Sequence, residues 1–224
     1  MGTAIGDTLP LALGVALSPM PIIAVILMMV SKKGKVNGPL FALGWFLGTI
    51  LLSALVLLFA HGHDYSAGSS PSLLSSLVKL FFGLLLLYVA FGSFKKRPKR
   101  GEHPEPPVWM QSLEDFSSLK AFGLGAGLAT INAKNLPTTI SAATILAQEG
   151  LTESQVFIVV LIFAFIATLG VGVPVFLAQI GGTKAQSTLD EWKTWLNDNN
   201  ATIMFVLFLF LGLSMLGKGL GGLF

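Results

Sequence analysis

The sequence contains no cysteine, which excludes disulfides, thiolate nucleophiles and cysteine-ligated metals. Charge is scarce too: Asp, Glu, Lys and Arg together make up 11% of the 224 residues. Acidic side chains are missing from the long apolar runs, so neither a carboxylate proton relay nor an acidic cation site is expected inside them. There is no phosphate-binding loop of the Walker type, and any drive from ATP would have to come from a partner. No basic stretch precedes the first apolar run, which opens at Asp7 and outlasts a signal-peptide core, so a cleaved signal is not expected. No cofactor and no nucleic-acid partner is expected.

What is present is apolar. Hydrophobic residues make up 53% of the chain, and several runs approach the length that crosses about 30 Å of hydrocarbon. The fold class this predicts is an all-α polytopic membrane protein with six transmembrane helices, over residues 8–30, 39–60, 73–94, 121–146, 154–180 and 201–216. Of the 14 basic residues, eleven fall in alternate loops: Lys32, Lys33 and Lys35; Lys95, Lys96, Arg97, Lys99, Arg100 and Lys120; Lys184 and Lys193. The opposite loops carry Asp7, His61, His63, Asp64, Glu149 and Glu153, with Lys218 near the C-terminus. Because basic loops are retained in the cytoplasm, both termini are expected outside.

The charged, proline-rich stretch "FKKRPKRGEHPEPP" reads as a cytoplasmic linker. It separates a first three-helix repeat (1–94) from a second (121–224), with residues 95–120 between them. Trp109, Leu113 and Phe116, and likewise Leu189, Trp192 and Leu196, recur at helical spacing among polar residues, as in short helices lying in the membrane surface. An odd number of spans per half makes any repeat an inverted one. The openings of the halves, "LGVALSPMP" and "LGAGLATIN", share Leu-Gly-x-x-Leu before turning polar or helix-breaking. Inverted-repeat transporters place their sites on interrupted helices at such corresponding positions.

Two interruptions are predicted. Pro19 and Pro21 break the first span and free carbonyls near Val15 and Leu17, while Pro137 frees that of Ala133 and pushes Leu136 out of helical geometry. Unpaired backbone groups cannot face lipid, so both breaks must face protein or a polar cavity, and the two are expected to face each other. Asn132, Asn135, Thr138 and Thr139 supply polar lining around the second break. Lys134 is the most telling residue: an ammonium at the centre of a span costs roughly 2.5–3.5 kcal/mol, with no acidic partner in the spans. Freed carbonyls, a neutral amine or a visiting anionic head group would each compensate it.

The runs "PVWMQSLEDFSSLKAFGLGAGLATINAKNLPTTISAA", "ALSPMPIIAVILMM" and "GWFLG" resemble the GAP family, named for glycopeptidolipid or sulfolipid addressing in mycobacteria and related actinobacteria. That family lies within the lysine-exporter (LysE) superfamily, whose first span carries a proline motif and whose fourth carries Asn-Pro-Lys. Here these match Ser18, Pro19 and Pro21, and Asn132 and Lys134 with Asn135 following; Ala133 stands where the family usually has proline. The resemblance implies a multi-pass plasma-membrane transporter, or a transport accessory, for cell-envelope lipids in an actinobacterium. Its partners would be an envelope lipid or other amphiphilic anion, membrane lipids and lipid-export machinery, and it would not be an enzyme.

Substrate binding is thus expected at Lys134, Asn132, Asn135, Thr138, Thr139, Ser18, Pro19 and Pro21, with Gly170, Gly172 and Pro174 giving flexibility or close packing in the fifth span. Two other readings stay open. His61, His63 and Asp64, in "HGHD", place two imidazoles and a carboxylate together and would suit a membrane-embedded transferase acting at the outer face. Small-solute export, as in other superfamily branches, is the other.

Overall fold

The computed structural model describes residues 1–61, 73–98, 113, 116–132 and 135–222, and among these there are helices and no strands. Eight helices follow in order: α1 (Gly2–Ala16), α2 (Pro19–Val30), α3 (Gly34–His61), α4 (Leu73–Lys95), α5 (Ser118–Ile131), α6 (Asn135–Gln148), α7 (Glu153–Ile180) and α8 (Gly182–Gly221). Among the described residues, three helices are long and apolar enough to cross a membrane, or four if α1 and α2, bent by 52° at their junction, count as one. Residues 80–95 of α4 and helix α5 are shorter apolar helices.

Local signals fix most boundaries. α7 starts on a capping box, in which Thr152 Oγ1 accepts from Gln155 N while Gln155 Oε1 accepts from Thr152 N. Gly150 (φ 60) and Gly182 (φ 54) hold the left-handed conformation in the turns that flank α7, a conformation most side chains resist. α5 starts on Ser117, which caps Lys120 N. Residues 189–196 do not form a separate surface helix; they belong to the first part of the 40-residue α8. No proline occurs between Gly182 and Gly221 to stop it.

By contacts the chain divides into two units: residues 1–64 with 105–197, and residues 65–104 with 198–224. In the first, the direction of each helix can be read from its neighbours. At one end Ala4 of α1, Leu57 of α3, Ala143 and Leu146 of α6 and Val159 and Val160 of α7 share one buried cluster. At the other end Asn37 of α3 is fully buried; its Nδ2 donates to Phe116 O (2.8 Å) and its Oδ1 accepts from Ser118 Oγ (3.2 Å), at the entry of α5. The pair α5–α6 therefore runs the length of α3 in the same direction. The pair α1–α2 and helix α7 run opposite to it.

Close backbone approach joins α3 to α5. A Cβ on Gly44 or Gly125 would run into the carbonyls of Phe122 or Phe41, and one on Gly48 would stand 2.8 Å from Ala126 O. Gly44 and Gly48 form a small-xxx-small pair that meets Phe122, Ala126 and Ala129 of α5, the packing by which apolar helices associate where lipid gives no hydrophobic drive. Trp45, buried beside Phe41, donates from Nε1 to Ala167 O (3.1 Å) and ties α3 to α7. Pro39 frees the carbonyl of Lys35, which accepts from Gln179 Nε2 of α7 at 2.7 Å.

In the second unit, α4 and the last part of α8 pair antiparallel: Leu80 meets Gly219, Gly83 meets Gly212 and Leu216, and Phe94 meets Phe205 at 5.1 Å between ring centroids. At the charged end of α4, Arg97 lies over the Phe94 ring and Lys95 over that of Phe91.

Candidate functional site

The first break falls at Leu17 and Ser18. Leu17 closes α1, its N–H on Leu13 O, and Ser18 adopts extended backbone (φ −88, ψ 104) before Pro19 opens α2 as its first residue. A proline ring at that position removes the donor that Val15 O would otherwise receive. The Ser18 hydroxyl takes the vacated place at 2.7 Å from Val15 O. Pro21 stands in the first turn of α2, where a missing N–H costs nothing. Beside the break, a Cβ on Gly170 would strike the carbonyl of Ala16, so α7 is pressed against the last turn of α1 at this point; a Cβ on Gly172 would meet only Thr168 Cγ2, at 3.9 Å.

The second break differs from its prediction. α5 ends at Ile131, and Asn132 leaves the helix in extended geometry (φ −61, ψ 122). Leu136, expected outside helical geometry, lies within α6, with its N–H on Asn132 O at 3.0 Å. Pro137 is the third residue of α6, so it helps to start that helix instead of ending the one before. Ala133 and Lys134 lie outside the described residues.

The two breaks meet. Ser18 Oγ stands 3.1 Å from Asn135 Oδ1, and both residues are buried, at 2% and 0% exposure. On its other side Asn135 donates from Nδ2 to Leu128 O (3.3 Å), one of the last carbonyls of α5. That bond fixes the amide orientation, because the reverse would set two acceptors together. Ser18 has one hydroxyl hydrogen for two acceptors, Val15 O and Asn135 Oδ1.

Of the other predicted site residues, Thr138 and Thr139 are buried on α6 one turn beyond Asn135, and Asn132 is partly buried at the break. His61 ends α3, while His63 and Asp64 lie outside the described residues. Sequence reasoning passed over Asn37 and Trp45. Asn37 offered no local signal, since a lone asparagine in a first turn usually caps or faces water; Trp45 lay inside the quoted "GWFLG" without its indole partner being foreseeable.

Next to the break, a cleft of about 410 Å³ opens between α1, α7 and the first part of α8. Leu13 and Leu17, Ile166 and Val173, and Trp192 and Trp195 form much of its lining, which carries no charged side chain.

A profile of the family described as Sap, sulfolipid-1-addressing protein, matches residues 8–221. No curated protein and no solved structure matches the chain.

Proposed function

As the chain belongs to the sulfolipid-1-addressing protein family, we propose that it is a membrane transporter, or an accessory of transport, that moves an envelope lipid with a polar or anionic head across the bacterial plasma membrane. The observation that carries this reading is the bond between Ser18 and Asn135, which brings two interrupted helices together at a buried polar crossing. Interrupted helices are costly in lipid and are retained where they line a path or a site. The polar side chains of the crossing suit a polar head. Lys134, two residues from Asn132 and next to Asn135 in sequence, would supply the cation for an anionic one.

The architecture we propose is six spans in two inverted halves, as in the lysine-exporter superfamily. In its support, each half opens with a broken helix (α1–α2 and α5–α6) followed by a helix of 28 residues (α3 and α7). The corresponding elements run in opposite directions. Lys32, Lys33, Lys35 and Lys120 gather at one end of the first unit, and Asp7, Glu149 and Glu153 toward the other, which supports a cytoplasmic basic end and outer termini.

The test is flux of a fluorescent anionic lipid in proteoliposomes. Lys134→Met is expected to slow it by about tenfold or more, equivalent to about 1.4 kcal/mol in the barrier. Unchanged flux in a folded variant would remove Lys134 from the site. On this reading the protein is a carrier and not a catalyst, so His61→Ala is expected to leave the covalent structure of the lipid as it was, checked by mass spectrometry.

A further inference from the structure

We propose that the cleft between α1, α7 and the start of α8 seats one aliphatic chain of the lipid whose head engages the crossing; this rests on the reading of the protein as a lipid carrier. The apolar cleft adjoins the buried polar crossing within one peptide unit. Leu17, half exposed, lines the cleft, and the next residue, Ser18, is buried against Asn135. A ligand spanning that junction must itself be amphiphilic.

The dimensions and lining of the cleft suit an acyl chain. The cleft follows α7 from Ile166 to Pro174, about 12 Å at 1.5 Å per residue. A single hydrocarbon chain fits, and a cleft of about 410 Å³ lies within the range of small-ligand sites. A polar head does not belong there, because the lining offers no charged group to receive one.

Position agrees with the same occupant. Trp192 and Trp195 wall the cleft from a helix segment that also carries exposed Asp190 and Glu191 and a half-buried Lys193, which pairs with Asp190 at 2.9 Å. Tryptophans next to charged residues mark the level where hydrocarbon meets head groups. The cleft therefore extends from that level to the helix break, the course of a lipid tail.

The experiment uses the full chain in nanodiscs containing a phosphatidylglycerol with a photoactivatable diazirine near the end of one acyl chain, and adducts are mapped by peptide mass spectrometry. Adducts are expected to concentrate at Leu13, Leu17, Ile166 and Val173. They should fall at least about fivefold in Val173→Trp, which fills the cleft from a position 41% exposed and so spares the core. Leu169→Trp, also at 41%, is the second filling variant should the first fail to fold. Labelling spread evenly over the cleft and the exposed faces at Phe59 and Phe157, or unchanged in a folded filling variant, would overturn the proposal. Flux of the same lipid separates this from the transport reading. Cleft adducts with no flux would sink transport and keep the chain seat, whereas flux indifferent to both filling variants, with adducts elsewhere, would do the reverse.

Discussion

Ser18 and Asn135 are 117 positions apart in sequence and within hydrogen-bond distance in the structure. Ser18→Ala removes the one hydroxyl hydrogen that serves Val15 O and Asn135 Oδ1, and is expected to cost about 1–3 kcal/mol. Denaturant unfolding of the purified protein in detergent measures it. A double-mutant cycle with Asn135→Ala should return a coupling of about 0.5–3 kcal/mol, and strict additivity would show that the two side chains do not interact. Asn135 was legible as a polar residue beside a proline inside an apolar run, and Ser18 through the resemblance of the first-span motif. Asn37 was not legible: its burial depends on the backbone of Phe116, 79 positions away, and no periodicity announces that.

Among elements, α7 carries two glycines with opposite expectations. Gly170→Ala forces a methyl into the Ala16 carbonyl and should destabilise by about 1–3 kcal/mol. Gly172→Ala meets nothing closer than 3.9 Å and should be neutral or stabilising by up to about 1 kcal/mol, from helix propensity. Thermal unfolding of the pair checks both, and equal effects would contradict the packing described. The sequence offered close packing and flexibility for these positions, and the structure assigns close packing to Gly170. The presence of both breaks was readable from Pro19, Pro21 and Pro137, but the position of the second was not. A proline is compatible with the first turn of a helix as well as hostile to its interior, and only the coordinates of Asn132 and Leu136 decide which role Pro137 plays. The continuity of α8 was missed for a related reason: a change from polar to apolar residues alters what a helix faces without ending it.

Across the whole molecule, the family resemblance read from short motifs is confirmed by a match over residues 8–221. The helical class was equally visible in composition, whereas the parallel course of α3 and the α5–α6 pair needed the contacts at Asn37 and Leu57. Topology can be tested directly because the chain has no native thiol. In intact cells an impermeant maleimide is expected to label Glu149→Cys and not Lys32→Cys, and the opposite pattern would invert the proposed orientation. The manner of any opening follows from the Ser18 hydroxyl. Because it already has Val15 as a second taker, it can release Asn135 without being left stranded, so the two interrupted segments are held by a latch with its own fallback. The glycine contacts of α3 with α5 have none, since parting them would strip tightly fitted backbones of their partners. In the transport cycle we propose, movement would begin by unhooking α1–α2 from α6, with α3 and α5 carried along as one body.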